Sequence, residues 1–137
     1  MIIFYQKHLK NNTMFEKLIS TLMASRDQAH IFHWQVTGAG SYAMHKALGK
    51  YYDAIPDLTD SLVESYQGKY GIVKGYTPAE KFDEFNSNNV VKYFKGLAEY
   101  IERAYVKLPK EDTNIINQLD NVKDLIYTIV YKLENLQ

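Results

Sequence analysis

The 137 residues include no cysteine. That absence excludes thiolate zinc sites, iron–sulfur clusters, thiol nucleophiles and disulfides. An excess of one charge is missing too: 16 Lys+Arg balance 16 Asp+Glu. A chain with no net charge is not expected to grip DNA through bulk charge, and two N-terminal lysines, Lys7 and Lys10, do not make a basic tail. No apolar run approaches the ~20 residues of a membrane helix. Residues 1–5 are too short for a signal-peptide core, so a soluble cytoplasmic protein is expected. Prolines number three, and the four histidines (His8, His30, His33 and His45) all fall in the first third. What remains is a chain 46% hydrophobic and rich in tyrosine, with 12 Tyr, 6 Phe and one Trp. Its length suits one domain over residues 1–137 with a single core, and its aromatics suit an oligomer interface.

Four segments carry a helical period. Thr13-Met14-Phe15-Glu16 reads as a capping box opening the first, followed by Phe15, Leu18, Ile19, Leu22, Ala29, Phe32 and Val36, with Gly38 and Gly40 closing it. The second runs from Ser41 to about Gln67 on Met44, Leu48, Tyr51, Ile55, Leu58, Leu62 and Tyr66. Pro56 lies inside it, but the stripe keeps its phase, so one kinked helix is expected. A connector with Gly68, Gly71 and Gly75 follows, and Thr77-Pro78-Ala79-Glu80 reads as the start of a short helix. The third segment carries Val90, Phe94, Leu97, Ile101, Tyr105 and Leu108 up to Pro109. The fourth carries Ile115, Leu119, Val122, Ile126, Ile129, Leu133 and Leu136. No strand alternation of useful length appears. The expected fold is all-α: a four-helix bundle with a long crossover connector carrying a short helix.

With no histidine in the last two helices, a di-iron bundle with Glu-x-x-His on two helices is impossible. The candidate chemistry lies on the first two. His33 ends the first helix and His45 begins the second, twelve residues on. At ~100° per residue, His45, Asp53, Asp57, Asp60 and Glu64 share an arc of about 120° opposite the apolar stripe. His45 and Asp60 are separated by ~22 Å of helix at ~1.5 Å per residue, so both ends meet only between two antiparallel copies. An acidic stripe opposite an apolar one is ordinarily a solvated face, the preferred reading for Asp53 and Asp57. A His beside a Trp is ordinarily a packed residue, so neither His33 nor His45 alone marks a metal; His30, one turn before His33, could share its site but reads first as packing, and Trp34 as a core or interface anchor. The case for a metal rests on the combination of these residues, not on any single one.

Here the sequence resembles the Dps-type mini-ferritins, the DNA-binding proteins from starved cells. Ala29-His30-Ile31-Phe32-His33-Trp34-Gln35-Val36-Thr37-Gly38, then Ser41-Tyr42-Ala43-Met44-His45, match that family's His-Trp turn and its second histidine. Asp60 and Glu64 fall on its two carboxylate positions. The likeness covers about residues 13–67. It implies a ferritin-like bundle in a homo-oligomer with two-fold dimers, on the pattern of a hollow dodecamer. It implies oxidation of Fe(II), preferably by hydrogen peroxide, and storage of ferric iron. His33, Asp60 and Glu64 would hold the primary iron and His45 a second, with zinc or manganese as alternative occupants. The family's Asp one turn after the second His is here Gly49, and Asp53 stands one turn further as a candidate auxiliary ligand. A looser likeness, to small ferritin-like proteins of tailed bacteriophages, implies a non-catalytic assembly or interaction protein acting in a phage-infected bacterial cell.

Overall fold

A computed structural model describes the backbone of residues 2–136 and the side chains of residues 12–136. Four helices form a bundle: α1 (Ile2–Gln35), α2 (Ser41–Tyr70), α3 (Asn89–Tyr105) and α4 (Thr113–Asn135). Among the described residues there is no strand.

Residue pairs across each interface give the directions. Phe15 stacks on Tyr66 at 3.7 Å, the Ser25 and Tyr51 hydroxyls meet at 2.6 Å, and His33 stacks on His45 at 3.5 Å. As α1 numbers rise, α2 numbers fall, so the two are antiparallel. Lys95–Glu134 and Lys123–Glu102 make α3 and α4 antiparallel in the same way. Asn114 on Ser65 and Asp112 at Lys69 bring the start of α4 to the end of α2. The order is therefore up, down, down, up, and the link from α2 to α3 must cross the length of the bundle.

The apolar stripes meet on the axis. Phe15, Leu22, Phe32, Leu48, Tyr51, Ile55, Leu62, Phe94, Ile101, Ile115, Val122 and Ile126 are all buried. Tyr51 is a phenol wholly inside this core; its hydroxyl shares a bond with Ser25, whose own hydroxyl donates to the Leu22 carbonyl at 2.7 Å. Burial pushes the Tyr51 phenol far above the ordinary tyrosine range, and Tyr93 likewise. At the base, buried Asp112 precedes α4 and accepts from the Lys69 ammonium and the Tyr70 hydroxyl. Among the described residues no buried side-chain polar atom lacks a partner, as native packing requires.

Three expectations are corrected. The capping box at Thr13 does not open a helix: α1 already runs from Ile2, because neither Gly nor Pro interrupts residues 2–12. Gly68 does not end α2, which continues to Tyr70 and stops at Gly71, where φ is 91° and a side chain would be strained. The short helix at Thr77–Glu80 is absent, and residues 71–88 hold no helix. Its place is taken by an extended strap. Gly75 takes φ 91°, and Pro78 biases Thr77 away from helix. The strap's backbone then bonds to side chains of α1: Thr77 N–H donates to Ser20 Oγ, Asp83 N–H to Gln28 Oε1, and Phe85 N–H to Gln35 Oε1. Gln28 also donates to the Asp83 carbonyl, so a side-chain amide reads the backbone as a paired strand would. Pro56, by contrast, sits inside one continuous α2 as expected.

Candidate functional site

The short link between α1 and α2 sets the site. Gly38 and Gly40 take φ 93° and 76°, which turns the chain within a few residues and brings the two helix ends together. His33 then faces His45. His33 Nδ1–H donates to the His45 carbonyl at 2.8 Å, and His45 Nδ1–H donates to the His33 carbonyl at 2.9 Å. A carbonyl only accepts, so both Nδ1 atoms carry a proton, and the neutral form of each ring has its lone pair on Nε2. The bond to His33 also satisfies one of the carbonyls that the end of α1 leaves without a helical partner.

Rings extend this pair. His30 stacks on Tyr52 at 4.2 Å and lies 4.1 Å from Trp34. The Tyr52 hydroxyl lies 3.5 Å from His33 Nε2. Trp34 is 68% exposed, so it is not a core residue of its own chain. His30 is a packed residue, as expected. Tyr52 was not singled out in the sequence, though it lies seven residues after His45 and so on the same side of α2.

Gly49 lies beside the His33 ring. A Cβ there would stand 3.4 Å from His33 Cε1 and 3.6 Å from Nδ1. The imidazole packs beside the glycine at a distance that leaves a Cβ in ordinary van der Waals contact with it.

The carboxylates stand elsewhere. Asp53, Asp57, Asp60 and Glu64 are all exposed on the outer side of α2. Asp60 borders a cavity of about 190 Å³ between α1 and α2, lined also by Met23, Ile55 and Pro56. Among the described residues no three His, Asp or Glu side chains of one chain gather closely enough to hold a metal ion. The structure thus brings His33 and His45 together and leaves Asp60 and Glu64 at the other end of α2. The donor chemistry suits a borderline divalent ion only if a second chain supplies the missing half.

No described helix is long and apolar enough to cross a membrane. The chain is similar to an uncharacterized 14.6 kDa protein from the mobD-ri intergenic region of Enterobacteria phage T4, 25% identical over 118 residues, which are 86% of each chain. No solved structure is matched by this sequence. Residues 33–133, from the first histidine of the clasp to the last buried leucine of α4, match a family of unknown function, and the chain belongs to that family, DUF5856.

Proposed function

We propose that this chain is a subunit of a ferritin-like, iron-handling homo-oligomer, in which Fe(II) is the substrate and is bound between two antiparallel copies. His33 and His45 come from one copy, Asp60 and Glu64 from the other, with Asp53 as an auxiliary carboxylate. The observation that carries the reading is the reciprocal bonding of His33 and His45, which fixes both tautomers and leaves both Nε2 lone pairs free of backbone duty. The crossover order of the four helices and the outward placement of both carboxylates support it.

Hydrogen peroxide is the oxidant. Two Fe(II) each give up one electron, the O–O bond breaks, and two protons complete two waters. The imidazoles and carboxylates hold the ion and balance its charge, and ferric product is retained inside the oligomer, for which the mini-ferritin dodecamer is the pattern. Zinc and manganese suit the same donors. DNA has no part in this reading, because the chain carries no net charge. The similarity to a phage T4 protein supports a bacterial cytoplasm during infection as the setting.

A second reading has its own observation. The histidine clasp satisfies the end of α1 without any metal. On this reading the chain is a non-catalytic assembly or interaction protein. Anaerobic loading with Fe(II), then stoichiometric peroxide, separates the two. Ferric absorbance rising faster than in buffer, and lost in Asp60→Ala/Glu64→Ala, establishes the iron site. Oxidation no faster than buffer leaves the clasp as architecture.

A further inference from the structure

Lys46, Lys50, Asp53, Asp57, Asp60 and Glu64 follow one another on α2 at steps of four, three, four, three and four. At ~100° per residue they fall within an arc of about 80°, opposite buried Leu48, Ile55 and Leu62. All six are exposed. The stripe is sorted by sign: two lysines at the start, four carboxylates after. Successive members, one helical turn apart, are of like sign at every step except Lys50–Asp53, so the stripe repels itself along its own helix. Among the described residues none of the six is in an ion pair; those found are Lys69–Asp112, Lys95–Glu134 and Lys123–Glu102.

A stripe of this kind is complementary to itself read backwards. We infer that α2 pairs antiparallel with α2 of a second copy of this chain, in the register that sets Lys46 opposite Asp57 and Lys50 opposite Asp53. The axis then passes between Tyr51 and Tyr52. Four Lys–Asp pairs form, and no like charges face each other. Sliding by seven residues, to set Lys46 on Glu64 and Lys50 on Asp60, would force Asp53 onto Asp57 at the centre.

Two independent features agree with this register. Asp60 and Glu64 fall at the levels of Ala43 and Ala39 of the second copy, beside the start of its α2. That end has no side-chain cap and no acidic residue in its first turn, so it offers free N–H groups and the positive end of the helix dipole to both carboxylates. Trp34 shares the level of residue 44, since His33 and His45 are level across the clasp. That level faces residue 59 of the second copy, where the cavity beside Pro56 opens next to half-exposed Met23. The exposed tryptophan of each copy thereby meets a mixed recess of the other, where Met23, Ile55 and Pro56 stand beside Arg26, Asp27 and Asp60. The inference rests on the antiparallel arrangement of the proposed function and supplies its register, but it needs no metal.

The test uses the absence of cysteine. Lys46→Cys and Asp57→Cys chains are mixed without metal and oxidised. In this register the two positions face each other, whereas either variant's own copies stand eleven residues, ~16 Å, apart along the axis, beyond the reach of a disulfide. The expected result is a cross-linked dimer in the mixture alone, and none for Lys46→Cys mixed with Glu64→Cys. Sedimentation gives the second arm: Lys46→Glu/Lys50→Glu, folded by circular dichroism, should weaken self-association about tenfold or more, and adding Asp53→Lys/Asp57→Lys should restore it. A Lys46/Glu64 cross-link, equal cross-linking of single variants, an unchanged mass for Lys46→Glu/Lys50→Glu, or no recovery on adding Asp53→Lys/Asp57→Lys overturns the inference. Because iron is absent throughout, a chain that oxidises no Fe(II) can still pass, and a chain that oxidises Fe(II) can still fail.

Discussion

Replacing Gln28 by methionine should loosen the strap without emptying the core. The side chain is 3% exposed and makes two bonds to one residue, accepting from Asp83 N–H at 2.7 Å and donating to its carbonyl at 3.0 Å. Each is worth about 1 kcal/mol net. Asp83 itself is exposed, so its freed groups return to water and the larger penalty of stranded buried groups does not apply. Methionine fills a similar volume, which keeps the cavity cost small. The sum is about 2 kcal/mol. For a chain of this size that corresponds to a fall of roughly 6 °C in Tm. It also corresponds to an approximately 30-fold faster exchange of the Asp83 amide, since about 1.4 kcal/mol is tenfold. Native-state hydrogen exchange is the sharper assay, because Phe85 N–H, held by Gln35, serves as an internal reference. An Asp83 amide that exchanges no faster in Gln28→Met, with Tm within a degree of the parent, would refute the view that this glutamine pins the strap.

Gly96→Ala should stabilise the chain by about 1 kcal/mol in urea unfolding, because the position is inside α3 and a Cβ there meets nothing within 4 Å. Lys69→Met should cost about 2 kcal/mol by the same assay; it removes the cation beside buried Asp112, and the 45% exposure of the lysine side chain keeps the loss below that of a fully buried pair. The buried tyrosines should leave stability unaffected below about pH 9, where unfolded tyrosine begins to ionise, and lower it above. The folded chain keeps Tyr51 and Tyr93 protonated while the unfolded chain releases those protons, so the urea midpoint should drop between pH 10 and 11. Tyr51→Phe should reduce that drop to the share of Tyr93 and cost about 1 kcal/mol at neutral pH, since Ser25 keeps its bond to the Leu22 carbonyl.

The helices were legible because their apolar residues recur at three and four, and a buried stripe leaves that mark whatever its neighbours are. Leu48, Tyr51, Ile55 and Leu62 were read correctly for this reason. The strap was not legible. Thr77-Pro78-Ala79-Glu80 has the local marks of a helix start, but Ser20, Gln28 and Gln35, three α1 side chains distant in sequence, take its backbone N–H groups or those of its neighbours. Capping-box chemistry at Thr13 was equally local and equally overruled. In the candidate site, the spacing of His33 and His45 marked them as partners, yet not that each would bond the other's carbonyl. Gly49 reads as a missing ligand in the sequence, which does not reveal that the His33 imidazole packs beside it.

The strap runs alongside α1 in the same direction, and that has a consequence for how the chain tolerates deletion. From Ser20 to Gln35 the helix rises ~22 Å at ~1.5 Å per residue. The strap covers the matching stretch, Thr77 to Phe85, in eight steps, which reach ~26 Å when extended at ~3.3 Å per residue. The slack is about one residue. Loss of two residues between these points exceeds that slack, so at least one of the three backbone N–H groups would leave its α1 partner. The length of this irregular segment thus sets its register on α1, although the segment contributes only one residue, Val73, to the buried core.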